Sequence, residues 1–258
     1  MLFGSSDIQV VNAIPHSNMW RQHLYQIVNG KIVWPSVNGP IPAKWPAPPT
    51  TTPGVLGFYT IYPNPEQLLA GRIDAQIKAM IKDAPPQSML TAYAEADANP
   101  GSGGQFAPLG LTRDKLLKVH AKVYSLCAGS NVRYGAVNCG YGTANAGFVV
   151  PDLDFYGLDI YEPCKPGVMN ALNQWRVTIS NVQPRPTLCI AECNSSTPSR
   201  RPFWFSAIFG WLKCYEKGYG KVAAMLTYWN PGGPLSGPWL PSDTATIDAL
   251  KSIAWATP

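Results

Sequence analysis

The chain has 258 residues, 46% of them hydrophobic and 14% charged, with a formal net charge of +5. That length and apolar content suit one large core or two small ones, and they exclude a disordered chain. Apart from Arg200-Arg201 the basic residues are scattered, so no nucleic-acid partner is expected. No apolar run reaches the roughly 18 residues of a membrane helix, and the first residues, Met1 to Ser6, lack the basic start and apolar stretch of a secretion signal. A soluble chain is expected, without a membrane partner: trimmed, intracellular, or released by another route, as a phage product would be.

Leu2-Phe-Gly4 reads as a first strand. Asp7 to Val28 is mixed, with a helix expected around Trp20 and Tyr25. Lys31-Ile-Val-Trp34 reads as the second strand. Pro35 to Pro53 contains seven prolines, which predicts a stiff extended loop long enough to shape a cleft. Val55 to Tyr62 is the third strand. Asn64-Pro65 marks a helix entry, with Asn as cap and Pro in the first turn. Ile73, Ile77, Met80 and Ile81 continue at helical spacing until Pro85-Pro86. Ser88 to Glu95 is the next strand, and Asn99 to Gly110 a Gly/Pro-rich loop. Thr112 caps a helix carrying Leu116, Leu117, Val123 and Leu126, which ends near Gly129.

Asn131 to Val137 is a strand, followed by a short glycine-rich connection from Gly140 to Val150. Leu153 to Tyr161 is another strand, and Gly167 to Val182 a helix. In the stretch from Pro186 to Asn194, the apolar residues Leu188 to Ala191 run into Glu192. Such a run reads as a fully buried strand of a parallel sheet. Pro202 to Tyr219 is an aromatic helix with Phe205, Phe209 and Leu212 at helical spacing. Val222 to Trp229 is a strand, Asn230 to Pro241 a loop, and Thr244 to Trp255 the closing helix. Strand then helix repeats about eight times with no shift in composition. The expected architecture is one α/β domain over residues 1–258, a single (β/α)8 barrel.

The six cysteines form no CxxC pair, and no histidine stands at ligand spacing from two of them, so no metal site is expected. Cys127, Cys189 and Cys214 are expected as buried thiols. Cys139, Cys164 and Cys193 follow successive strands on one barrel face, where one disulfide could form. His16, His23 and His120 show no ligand or triad pattern, and His120 lies in a helix as a structural residue. A nucleophile elbow and a P-loop are both missing.

Of the five glutamates, Glu95 and Glu192 close the predicted fourth and seventh strands. The C-terminal strand ends of such a barrel form its active face. Two carboxyls facing across that rim suit hydrolysis of a glycosidic bond, one protonating the leaving oxygen while the other attacks the anomeric carbon. A gap of about 5–5.5 Å gives retention, and about 6.5–9.5 Å gives inversion.

Five segments in order resemble glycoside hydrolase family 26, the β-mannanase-related family of the large clan of retaining (β/α)8 glycosidases. They are Leu69-Ala-Gly-Arg-Ile-Asp74, Ala94-Glu-Ala-Asp97, Leu153 to Tyr161, Cys189-Ile-Ala-Glu192 and Leu226-Thr-Tyr-Trp-Asn230. The resemblance implies that Glu95 is the acid/base and Glu192 the nucleophile. It implies that Asp159 and Tyr161 sit in the cleft and that Trp229 offers a platform to a sugar face. A tyrosine at the place of Tyr161 can donate to the nucleophile and hold it ionised. The chain departs from the family where His normally precedes the acid/base and Asn follows it two positions on. Ala94 and Asp97 stand there, which makes ordinary β-mannan a poor substrate. A charge at Asp97 would raise the pKa of Glu95.

Aromatic residues for stacking on sugars are Trp34, Trp45, Tyr62, Tyr156, Trp229 and Trp239. The expected protein is a monomer that takes a polysaccharide or oligosaccharide and needs no cofactor; its location stays open, and action outside the cell or with a phage is compatible with the sequence. The alternatives are a barrel that binds glycan without cleaving it and an inverting hydrolase; fold alone does not separate them.

Overall fold

The computed structural model describes residues 1–6, 8–14, 17–50, 52–98, 103–139, 146–162, 167–195, 197–227 and 244–255. Its strands are β1 (Leu2–Ser5), β2 (Met19–Leu24), β3 (Ile27–Val28), β4 (Lys31–Ile32), β5 (Leu56–Ile61), β6 (Met89–Ala92), β7 (Arg133–Cys139), β8 (Phe155–Glu162), β9 (Leu188–Ser195) and β10 (Val222–Thr227). All but β3 and β4 close into one parallel barrel, with β1 bonded to both β2 and β10. β3 and β4 form an antiparallel hairpin outside it. The helices are α1 (Ile8–Ala13), α2 (Pro65–Leu69), α3 (Asp74–Lys82), α4 (Arg113–Cys127), α5 (Val168–Ser180), α6 (Arg201–Gly218) and α7 (Thr244–Trp255). This is the expected (β/α)8 barrel.

The side-chain period of two sorts each strand between two cores. Met19, Phe58, Met89, Phe155, Cys189 and Leu226 meet inside the barrel, where Phe58 and Phe155 cross edge to face at 5.5 Å and plug it. Tyr59, Ile61, Leu158 and Ile190 point outward and pack with Ile77, Met80, Leu116, Val119, Trp175 and Phe205 of the helices. α4 shows how local sequence sets this layer. Thr112 caps it by accepting from the Lys115 N–H, and Leu116, Val119, Val123 and Leu126 recur on its buried face. His120, also on that face, meets the Tyr134 hydroxyl at 2.8 Å, the structural role expected of it.

Four features differ from the expectation. The second barrel strand is Met19–Leu24, not Lys31–Trp34, and the residues around Trp20 are not helical. The helix after Asn64 is two helices, interrupted at Gly71, whose φ of +75° favours glycine. Among the described residues no α-helix follows β2 or β7. After β2 the proline-rich segment fills the helix position, with Trp45 buried against Tyr59 at 5.0 Å and Pro46 O accepting from the Tyr59 hydroxyl. It therefore builds the outer layer at these residues, not a cleft wall. Finally, Cys127 and Cys189 are buried thiols but Cys214 is exposed, and Cys139 and Cys193 remain thiols. Cys164 lies outside the described residues.

Candidate active site

Glu192 owes its direction to a bulge. Leu158 pairs with Ile190 but Asp159 pairs with Glu192, so β9 carries one extra residue, Ala191, against β8. The same slip occurs against β10. A bulge re-aims the side chain that follows it, and here Ala191 lines the interior while Glu192 sits level with Asp159. Two residues of β2, absent from the sequence-based reading of the site, meet Glu192. Arg21 Nε donates to Oε1 at 2.8 Å, and His23 Nε2 lies 2.5 Å from the same oxygen. The Tyr161 hydroxyl donates to Oε2.

Burial alone would raise the Glu192 pKa. The Arg21 charge and the donors His23 and Tyr161 outweigh it and hold the carboxyl down at about 2. The guanidinium of Arg21, itself buried, lies over the Phe58 ring at 4.4 Å. Burial also lowers the pKa of His23, against the pull of Glu192 and with the push of Arg21. The imidazole is therefore neutral near neutral pH. The ionised Glu192 can only accept, so Nε2 carries the ring proton, and Nδ1, 2.7 Å from the Tyr62 hydroxyl, accepts from it.

Glu95 is held differently. It lies in the turn after β6, and Tyr93 and Glu95 both take left-handed backbone, with φ of +52° and +58°. Such residues cost about 1–3 kcal/mol each and persist only where their surroundings fix them. Here the Glu95 N–H donates to Val137 O at 2.9 Å and Tyr93 N–H to Ile61 O at 3.1 Å. Gln105 Nε2 donates to Glu95 O at 2.5 Å, and the Tyr93 hydroxyl to Pro63 O. Ala94, between the two strained residues, is buried in the barrel interior.

Burial raises the Glu95 pKa, and the charges of Glu192 and then Asp97 raise it further, to about 8. Arg21 and a hydrogen bond from the Cys139 thiol oppose them. Glu95 thus lies close enough to Glu192 to feel its charge, and the two carboxyls are driven in opposite directions. Asp159 is buried with its Oδ2 3.8 Å from Arg21 Nη2. Burial and the neighbouring Glu192 push its pKa well up, against Arg21.

The remaining candidates separate by position. Tyr161 and Asp159 stand beside Glu192. Asp97 is buried and its Oδ1 accepts from the Cys139 N–H at 2.7 Å, so it ties the Glu95 turn to the end of β7. Tyr62 is fully buried beneath His23, and supports the histidine rather than offering a stacking face. Tyr156 is a correction. It points outward into the helix layer, where its hydroxyl meets Val150 O at 2.9 Å and Gln183 Oε1 at 2.8 Å. Trp45 is likewise in the outer layer, whereas Trp34 is exposed at the foot of the hairpin. Trp229 and Trp239 lie outside the described residues. The signal for Arg21 and His23 was their i, i+2 spacing with Met19, which puts all three on the inner face once the segment is a strand.

The sequence matches no family model and no curated protein. Solved structures do match, and named glycoside hydrolases are among them. An endo-β-1,3-glucanase of family 128, subgroup I, from Amycolatopsis mediterranei, solved with laminaripentaose, superposes with a TM-score of 0.54 at 10% identity over 98% of this chain and 99% of its own. The β-glucuronidase of Ruminococcus gnavus gives 0.55 at 10% identity over 99% of this chain and 50% of its own. A Bacteroides uniformis β-glucuronidase gives 0.51 at 11% identity over 87% and 27%. The chain thus spans about a quarter of the latter enzyme's length. At such identities the likeness is one of fold.

Proposed function

We propose that this protein is a retaining glycoside hydrolase that cleaves within a polysaccharide, with Glu95 as acid/base and Glu192 as nucleophile. The reading is carried by the setting of the two carboxyls: Glu192 accepts from Arg21, His23 and Tyr161, which hold it down, while Glu95, on the turn after β6, has Glu192 and Asp97 for neighbours, which with burial push it up. Paired titratable groups driven apart by their surroundings mark an acid and a base. At neutral pH Glu95 holds the proton that the leaving oxygen needs. Glu192 holds the electron pair that attacks the anomeric carbon, with the Tyr161 hydroxyl and the Arg21 and His23 nitrogens fixing its orientation. Water then cleaves the glycosyl ester, with ionised Glu95 accepting its proton.

Kinship with family 26 within the retaining clan belongs to this proposal, supported by the order of the five segments. The glycosidase neighbours agree with it at the level of fold, and one of them was solved with a β-1,3-linked oligosaccharide. The test is reducing-sugar release across a panel of polysaccharides, with Glu192→Gln as control and the anomer of the product read by NMR. Release abolished in the variant, with retention of configuration, is expected. Inverted product would assign an inverting mechanism. Tight binding with no release by the unaltered protein would leave a glycan-binding module.

A further inference from the structure

The hairpin that follows β2 carries an apolar track away from the site. Ile27 pairs with Ile32 across it, and Val33 N–H donates to Gln26 O at 2.9 Å. That register puts Tyr25, Ile27, Ile32 and Trp34 on one face. At its inner end Tyr25 stacks on His23, the residue 2.5 Å from Glu192, with centroids 5.1 Å apart and an interplanar angle of 8°. Tyr25 then meets Trp34 edge to face at 5.5 Å. Trp34 is braced from behind by Tyr62 and Phe106, both at 5.8 Å. Nevertheless Trp34 is 47% exposed, Ile27 65% and Ile32 49%. A braced indole left open to water, beside exposed isoleucines on the same face, is a surface that folding has not used.

We propose that this face is a glycan-binding arm, on which a polysaccharide strand runs outward from Glu192 over Trp34 to Ile32 and Ile27. The proposal rests on reading Glu192 as the reacting carboxylate. The occupant follows from two observations. The track begins at His23, so whatever lies on it is continuous with what reaches Glu192. Its exposed face is also an aromatic and aliphatic strip of Trp34, Ile32 and Ile27, the kind of surface on which the C–H faces of an extended glycan lie. The arm bears one charged side chain, Lys31, paired with Val28 and so off the track face, which favours a neutral or weakly charged glycan. An arm of this kind binds chain beyond the cleaved bond, so it gives internal cleavage of long chains.

The test uses the Glu192→Gln protein, which should bind without turnover, in affinity gel electrophoresis against laminarin, galactomannan, arabinogalactan and hydroxyethylcellulose. One of these should retard it, and adding Trp34→Ser or the pair Ile27→Ser and Ile32→Ser should raise the apparent Kd about tenfold. Retardation unchanged within twofold in both variants would overturn the arm, as would the absence of retardation by every polysaccharide. Self-association that Trp34→Ser abolishes, with no glycan retained, would also overturn it and make the face a contact between copies. Turnover of 4-nitrophenyl glycosides by the unaltered protein is scored separately. Turnover lost in Glu192→Gln with no glycan retained removes the arm and keeps the hydrolase. Retention that depends on Trp34 without turnover does the reverse.

Discussion

His23 Nε2 lies 2.5 Å from Glu192 Oε1, the oxygen that also accepts from Arg21 Nε at 2.8 Å. One donor is neutral and the other charged, and both come from β2, on the far side of β1 and β10 from the strand that carries Glu192. The barrel interior thus holds a cation, a carboxylate and an imidazole with almost no water to screen them. Removing one member of such a group leaves the others buried and unpaired, which is far more damaging than losing a surface contact.

Arg21→Met should therefore destabilise the protein by about 3–5 kcal/mol, the range for stripping one partner from a buried ion pair. Glu192→Gln on its own leaves Arg21 with Asp159 and should cost less. In the double variant the loss should fall short of the sum, because the unpaired Glu192 charge is gone. Urea denaturation of the four proteins measures the coupling. Strict additivity would mean that the two side chains do not sense each other.

The pH profile should have a basic limb near 8, where Glu95 loses its proton. Glu192 stays ionised down to about 2, so the acidic side should be broad until the fold itself fails. Two neighbours should move the basic limb in opposite directions. Asp97→Asn removes a charge that raises Glu95 and should shift the limb down; its amide oxygen can still accept from the Cys139 N–H. Cys139→Ala removes a hydrogen bond that lowers Glu95 and should shift it up. Plots of kcat/KM against pH for the three proteins decide this. Limbs that move together would remove Glu95 as their origin.

Stability carries the same signature with a definite sign. Glu95 has a folded pKa near 8, above the ordinary 4.5, so the unfolded chain ionises first. The contribution of Glu95 is present in full below pH 4.5 and is lost between 4.5 and about 8. Glu95→Gln does not titrate. The variant should therefore gain on the unaltered protein as pH rises from 4.5 to 9, as read from paired urea curves at the two pH values. A difference that stays constant across that range would mean that Glu95 is not perturbed by folding.

Much of this was legible before the fold. Glu192 follows an apolar run because both faces of β9 are buried, and Glu95 follows β6 for the same reason. What could not be read was β2. Its inner positions are Met19, Arg21 and His23, and the two polar residues hide the pattern of a core strand. They can be inside only because Glu192, remote in sequence, is there to meet them. Tyr156 failed in the opposite sense. An aromatic residue in a strand has even odds of either face, and the parity that puts Asp159 and Tyr161 inward turns Tyr156 out. The bulge at Ala191 was also invisible, since it exists only in the register between β9 and its neighbours.

Glu95→Ala gives the sharpest test of the assigned roles. An acid/base is needed in the first step only to protonate the leaving oxygen, so its loss should spare substrates whose leaving group needs no proton. On 2,4-dinitrophenyl glycosides the variant should form the glycosyl-enzyme at a near-normal rate, seen as a burst, and then stall, because no base activates the water. On natural polysaccharide the rate should fall by about 10²–10⁴-fold. Added azide should restore turnover on the activated substrate, since an anion that needs no base can enter the space left by the carboxyl, and the product should be the glycosyl azide with the substrate's configuration. Equal loss on both substrates, with no burst and no azide product, would take Glu95 out of the chemistry.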